Sequence, residues 1–271
     1  MSTKLACDRV ILSTDDNETY INFWPIVAKA WKKFFDVEVS LAYVSELPDQ
    51  KLLERMRQYG EVIVYTPVKD IPAGNQAKMA RFFLASKYLD DVCMVNDIDT
   101  APLSKEYFHR VLGQRQEGEL LAVGAELYVG TPHEGKFPIG EITAEGRVFK
   151  SFVNPKSLSF EDYINSFVGT TVFDHKEAVE VSPSVFSDES LLRVLIQNAT
   201  PQGLKTRHVP RNVDIQRDWI DRSWWSVDVN KLNSANYVLV NFLRPLTSHI
   251  SHIKPIIEYI YGEEEYEDIF V

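Results

Sequence analysis

Hydrophobic and polar positions in the first half of the chain switch repeatedly between two periods. Arg9-Val10-Ile11-Leu12-Ser13-Thr14 is a compact apolar run that ends in polar residues, as a buried strand does. From Tyr20 to Phe35, apolar residues recur at Phe23, Ile26, Val27, Ala30, Trp31 and Phe34, which is helical spacing. Val37 to Val44 alternates like a strand. Asp49 is suited to cap a helix running to Tyr59, and Gly60 to end it. Glu61-Val62-Ile63-Val64-Tyr65 reads as a third strand. Asn75 to Leu89 reads as a helix with Met79, Phe82, Phe83 and Leu89 inward. Val92-Cys93-Met94-Val95 is a fourth strand, followed at once by Asn96-Asp97-Ile98-Asp99.

This β-α-β-α-β-α-β order predicts an α/β fold of Rossmann-like character, a mostly parallel central sheet with helices on both faces. Ligands of such sheets bind beyond the carboxyl ends of the strands. Ser13-Thr14-Asp15-Asp16 and Asp97-Ile98-Asp99 both fall at such ends, so two acidic loops share one rim.

The second half is less regular. Glu119 to Gly130 is strand-like, and Thr131 to Gly146 reads as a long loop or hairpin. Phe160 to Phe167 and Asp188 to Asn198 read as helices, with a strand around Thr171-Val172-Phe173. Trp219 to Trp225 is aromatic and charged, and Gly262 to Asp268 is an acidic tail. No repeat and no linker-like shift interrupts the chain. One composite domain over 1–271 is expected, with a nucleotide-type half (1–130) and a substrate-type half with a C-terminal helix (131–271).

Composition narrows the function. The chain has 271 residues, 45% hydrophobic and 25% charged, with a net charge of -10. That acidity argues against a nucleic-acid or anionic-membrane partner, which needs a basic face. A phosphate ligand needs only a few local cations. Two cysteines, Cys7 and Cys93, make no disulfide framework. The N-terminus has no signal-peptide core, and no stretch has the length of a membrane helix. A cytoplasmic protein is expected.

Asp97-Ile98-Asp99 carries the most chemistry. An Asp-x-Asp directly after an apolar strand sets both carboxylates on a turn at the sheet rim. Mg²⁺ and Mn²⁺ prefer oxygen ligands, and carboxylates plus substrate phosphates complete their shells. As a bland alternative, the same residues would serve as a cap or turn.

The pattern resembles the GT-A glycosyltransferases, whose donor is a nucleotide-diphosphate sugar. Met94-Val95-Asn96-Asp97-Ile98-Asp99 matches their strand ending in Asp-x-Asp. Gly74 to Phe82 looks like the helix that precedes that strand, and Ser13-Thr14-Asp15 resembles the loop that holds base and ribose. The resemblance covers about the first 130 residues, and its flavour is similar to the small soluble sugar transferases of large algal viruses. It implies a metal-dependent glycosyltransferase using Mn²⁺ or Mg²⁺ on Asp97 and Asp99. It implies donor contacts from Ser13, Thr14, Asp15, Lys78, Arg81 and Asp97. UDP is expected over GDP as the donor nucleotide, with a glycan or other hydroxyl acceptor.

Three further stretches follow from the resemblance. Asp188, with Glu189 as fallback, matches the general base of inverting members; both also suit a helix N-terminus behind Ser187. His249, ahead of Lys254-Pro255, resembles a third metal ligand, although the family's glycine and tryptophan around it are absent; a helix start explains it equally well. His208 is the other candidate histidine. Leu127 to Thr131, His133, Lys136 to Gly140, Trp219, Trp224 and Trp225 offer an acceptor surface or, equally, core. Asp221 and Arg222 stand among these indoles, and Arg244-Pro245 is either donor-side or structural.

Two competing functions remain. Asp97-Ile98-Asp99-Thr100 partly matches the signature of haloacid-dehalogenase-type phosphatases, though theirs follows the first strand and has its Thr one residue later. A catalytically silent nucleotide- or carbohydrate-binding module would bind without releasing nucleoside diphosphate.

Overall fold

The apolar runs of the first half lie side by side as strands β1 (Arg9–Asp15), β2 (Glu38–Val44), β3 (Glu61–Tyr65) and β4 (Val92–Val95). This arrangement comes from a computed structural model that describes residues 5–131, 134, 136–174, 177–182 and 187–262. His133, Phe186 and the acidic tail beyond Gly262 lie outside the described residues. The remaining strands are β5 (Thr100–Pro102), β6 (Glu119–Val123), β7 (Ile142–Glu145), β8 (Thr171–Asp174), β9 (Glu177–Glu180), β10 (Lys205–Val209), β11 (Trp219–Asp221) and β12 (Leu239–Asn241).

The main sheet has seven strands in the order β10-β6-β7-β4-β1-β2-β3. The β1–β2, β1–β4, β2–β3 and β6–β10 pairs are parallel, and β7 is antiparallel to both its neighbours. The expected mostly parallel α/β sheet is therefore what forms.

Side-chain alternation divides its core between two faces. Val10, Leu12, Leu41 and Met94 pack on one side with helices α2 (Trp24–Phe35) and α3 (Gln50–Arg57), which follow the short α1 (Glu18–Ile21). Ile11, Ala42, Cys93 and Val95 pack on the other with α4 (Ala73–Ala85). The first face is completed by α5 (Lys105–Leu112) and, near the C-terminus, by Ile253, Ile256, Ile257 and Ile260. The second takes α6 (Gly146–Val153), α7 (Phe160–Asn165) and α8 (Asp188–Ala199). Short helices α9 (Ile215–Asp218) and α10 (Val229–Asn233) and the terminal α11 (Ile250–Tyr261) complete the chain.

Local chemistry sets the ends of these elements. Asp49 accepts from the Leu52 amide at 3.0 Å and starts α3, as its sequence position predicts. Ser187 caps α8 in the same way, through the Ser190 amide.

Three expectations are corrected. The helix expected to reach Leu89 stops at Ala85, where the Ser86 hydroxyl donates to the Phe83 carbonyl; Leu89 is exposed. The strand expected from Glu119 to Gly130 ends at Val123. Gly124 takes a left-handed φ of +85° and turns the chain into a 3-10 helix over Ala125–Tyr128. Within Thr131 to Gly146, β7 is a central strand. All its residues are buried, so it lacks the alternation that marks a one-sided strand.

A smaller sheet, β11-β12-β5, sits beyond β4. Asn241 pairs with Thr100, and the Phe242 amide donates to the Asp99 carbonyl at 2.9 Å. Asp221 pairs with Asn241. The residues just past β11 and β12 are thereby brought beside Asp99.

Candidate active site

Two cavities open at the carboxyl ends of β1 and β4. The first, of about 470 Å³, is lined by Ser13, Thr14 and Asp15 from the end of β1 and by Asp97 and Asp99 after β4. The first turns of α4 contribute Gly74, Asn75 and Lys78. A side chain at Gly74 would bring a Cβ to 3.1 Å from the Asp15 carboxylate, so glycine lets the helix approach this strand end closely. The helix has no side-chain cap at Pro72, and its N-terminal dipole favours an anion there.

The two aspartates differ. Asp97 is half-exposed, whereas Asp99 is 7% exposed in its side chain. Burial first, and then the charge of Asp97, hold the Asp99 carboxyl above the usual carboxylate range. Arg222 and Arg244 pull the other way. Arg222 Nη1 lies 2.7 Å and Arg244 Nε 3.3 Å from the same Oδ2. Arg222 Nη1 also donates to Asn241 at 2.8 Å, and the Arg244 guanidinium lies 5.0 Å over the Tyr20 ring. The sequence offered Arg222 as part of a ligand-facing aromatic stretch and Arg244 as donor-side or structural, but not their contact with Asp99; each follows a short strand of the small sheet, and only that pairing brings them here.

Arg81 is placed at the site, but its donors serve the protein. Its Nε donates to the Lys78 carbonyl at 3.2 Å, and its Nη1 to the Asn96 carbonyl at 3.0 Å and Asp97 at 2.6 Å. Its Nη2 lies 2.5 Å from Asp188. Burial works against its charge, and Asp97 and Asp188 outweigh that cost. Arg81 therefore ties the Asp-x-Asp turn to the start of α8. Lys78 lines the same cavity.

The second cavity, of about 380 Å³, continues from the first and shares Asp97, Asp188 and Arg222 with it. Tyr128, Glu189, Trp219 and Trp224 stand on its walls. Glu189 Oε1 accepts from the Tyr128 hydroxyl at 2.6 Å. Burial raises the Glu189 carboxyl above the ordinary range; Asp188 and Asp97 add to this, and the Tyr128 bond and Lys136 oppose it. Asp188 is held differently, with Oδ2 on Arg81 and Oδ1 accepting the Glu189 amide at 3.1 Å. Both cavities draw on both halves of the chain, since Asp188, Arg222 and Arg244 line the first and Asn96 and Asp97 the second.

His249 is not brought to the aspartates. It stands at the start of α11, whose apolar side is buried in the core, and it lines neither cavity. Among the described residues, no three or more histidine, cysteine or carboxylate side chains converge for a metal ion. His208 instead stacks on Phe137, with ring centroids 5.5 Å apart.

The residues present nevertheless fit a hard divalent cation completed by its substrate. Asp97 and Asp99 face one cavity, and their mutual repulsion would be relieved by a cation. Arg81 sits on Oδ1 of Asp97, and both arginines of Asp99 sit on its Oδ2, so each carboxylate has a second oxygen outside these ion pairs.

The fold is that of the GT-A glycosyltransferases. The chain superposes on the apo structure of the bifunctional glycosyltransferase WbbM with a TM-score of 0.50 at 11% identity, covering 99% of this chain and 51% of that one. The galactosyltransferase LgtC, solved with donor and acceptor sugar analogues, gives 0.46 at 13% identity over 96% of this chain and 98% of that one. The apo glycosyltransferase GlyE of Streptococcus pneumoniae TIGR4 gives 0.45 at 14% identity over 89% and 55%. No protein-family model and no curated protein sequence matches the chain. Among the described residues, no helix is long and apolar enough to cross a membrane.

Proposed function

We propose that the protein is a glycosyltransferase that moves a sugar from a nucleotide-diphosphate donor, UDP before GDP, to a hydroxyl of a glycan or similar acceptor. The observation that supports this most is the meeting of two cavities at Asp97, Asp188 and Arg222. A two-substrate transfer needs two binding spaces that share one reacting point.

In this reading the donor occupies the first cavity. Ser13, Thr14 and Asp15 receive its nucleoside end. Lys78, Arg222 and Arg244 face the diphosphate with positive charge, and Arg81 positions Asp97 and Asp188. Asp97 and Asp99 hold Mn²⁺ or Mg²⁺; when bound, that ion neutralises charge on the departing nucleoside diphosphate.

Glu189 is the better proton acceptor of the α8 pair. Both Asp188 oxygens already hold a partner, Oδ2 the Arg81 guanidinium and Oδ1 the Glu189 amide. Glu189 faces the acceptor cavity, and its environment makes it more basic than an ordinary glutamate. In an inverting transfer the acceptor O–H gives its proton to Glu189, and its oxygen bonds to the anomeric carbon. The bond from that carbon to the phosphate oxygen breaks, and the nucleoside diphosphate leaves with the electron pair.

The test is a thermal-shift screen of UDP, GDP and their sugars, each with Mn²⁺ and with EDTA, followed by an assay for released nucleoside diphosphate. A metal-dependent rise in melting temperature for one nucleotide supports the donor site. Nucleotide binding without release, across a broad acceptor panel, would favour the silent binding module. No shift for any nucleotide would overturn the proposal.

A further inference from the structure

The turn that carries Tyr128 is fastened from outside the site. It leaves β6 at Gly124, whose left-handed φ of +85° starts the 3-10 helix over Ala125–Tyr128. Two hydrogen bonds join it to the segment around the end of β10. The Gly124 amide donates to the Val209 carbonyl at 3.0 Å, and the Arg211 amide donates to Glu126 Oε1 at 2.7 Å. The second has a charged acceptor and is the stronger of the two. Glu126 is exposed and lines neither cavity.

Arg211 is a firm anchor, because partners on four parts of the chain hold it. Its Nε lies 3.1 Å from Glu141 Oε2, just ahead of β7, and the two side chains are 7% and 1% exposed. Its guanidinium covers the Trp219 ring of β11 at 4.4 Å. Its carbonyl accepts from Arg110 Nη2 of α5 at 2.7 Å. Its side chain also packs over Gly124, where a Cβ would come within 2.7 Å of Nε. A single 3-10 turn has poor hydrogen-bond geometry of its own, so such an outside tie matters to its position. Tyr128 ends this turn and donates to Glu189 Oε1 at 2.6 Å.

We infer that Glu126 is a positioning residue: by accepting the Arg211 amide it sets the turn that holds the Tyr128 hydroxyl on Glu189. It acts through Tyr128 and touches neither substrate space. The inference rests on the transferase reading only in giving Glu189 a proton to accept.

Tether and charge act in opposite directions here. Glu189 is faced by Tyr128 from the turn, Asp188 on its own helix, Asp97 after β4 and Lys136 ahead of β7. Losing the Tyr128 bond raises the Glu189 carboxyl. Losing the negative charge of Glu126 by itself lowers it, since one anion fewer eases ionisation. A rise on removal of Glu126 is therefore the mark of a lost tether.

The test is an NMR titration of the full-length protein labelled with carbon-13 at glutamate Cδ, with Glu189 assigned as the resonance missing from Glu189→Gln. In Glu126→Ala the Glu189 midpoint should rise by about half or more of the rise seen in Tyr128→Phe. Glu126→Gln keeps an oxygen to accept the amide and should titrate close to wild type. Combining Glu126→Ala with Tyr128→Phe should give no more than Tyr128→Phe alone, since both act through one contact. Circular dichroism should be that of wild type in the Glu126 variants, because the side chain is exposed. A midpoint unchanged or lower in Glu126→Ala, a Glu126→Gln that follows Glu126→Ala, or additive shifts in the combined variant would overturn the inference. The titration needs no turnover. A protein answering no nucleotide would sink the transferase reading and leave this result standing, whereas a nucleotide response with an unmoved Glu189 in Glu126→Ala would sink this inference alone.

Discussion

Arg222 Nη1 lies 2.7 Å from Asp99 Oδ2, across 123 residues of chain, and the contact exists only because β12 pairs with β5 on one side and β11 on the other. The same guanidinium borders both cavities. Arg222→Ala should therefore weaken donor and acceptor together, whereas Arg244→Ala should weaken the donor alone, because Arg244 lines only the first cavity. Steady-state kinetics check this: KM for both substrates should rise in the first variant and for one in the second. Arg222→Lys should rescue little, since an ammonium lacks the planar fork that reaches Asp99 and Asn241 together.

Asp97→Asn and Asp99→Asn should each remove the metal-dependent part of the nucleotide thermal shift. A neutral amide is a far poorer ligand for a hard divalent cation than a carboxylate. The variants should differ in stability. Asp97 is 46% exposed, so its loss should cost little, whereas Asp99 is buried against two arginines. Urea titration checks this difference, and a metal-dependent shift of wild-type size in both variants would remove the pair from the metal role.

The alternation of period two and period 3.6 made the β1-to-β4 half legible, because each strand there is followed by a helix with its own apolar stripe. Asp97 and Asp99 were legible for the same reason, since a polar pair directly after a buried strand must fall at the sheet rim. Strand β7 was not. Its four residues, Ile142 to Glu145, are buried together, and Thr143 and Glu145 look polar in sequence. Glu145 is accommodated by its ion pair to Arg115 and its bond to the Gly118 amide, partners that no periodicity reveals. The approach of Arg222 and Arg244 to Asp99 was hidden, because it depends on pairing between strands far apart in sequence. Arg81 was visible as a cation near the site, but its saturation by two carboxylates depends on the docking of α8.

That saturation makes Arg81 a stability residue as much as a site residue. Its side chain is 5% exposed and joins Asp97 to Asp188. Arg81→Ala should cost about 3 kcal/mol, the lower end expected when one partner of a buried ion pair is removed, because Asp97 retains water. Urea denaturation measures this. Arg81→Lys should recover only part of the loss, since a single ammonium cannot span both carboxylates and the Asn96 carbonyl. A wild-type midpoint in Arg81→Ala would show that the bracket is dispensable.

Glu189 and Tyr128 give the sharpest pH test. A base must be ionised to act, so turnover falls as pH drops through its pKa. Burial, with help from Asp188 and Asp97, raises the Glu189 carboxyl, so the acid limb of kcat should lie above the ordinary glutamate range. The Tyr128 hydroxyl, donating at 2.6 Å, stabilises the anion and lowers that pKa. Tyr128→Phe removes this bond, so the acid limb should move to higher pH, with kcat recovered on the alkaline side. Glu189→Gln should reduce kcat by about 10²- to 10⁴-fold while the nucleotide thermal shift persists. Asp188→Asn should instead lower stability through the loss of the Arg81 pair, and move the acid limb to lower pH, because the Asp188 charge that helps to raise Glu189 is gone. An acid limb that stays put in Tyr128→Phe, with kcat lost in Asp188→Asn and retained in Glu189→Gln, would transfer the proton-accepting role from Glu189 to Asp188.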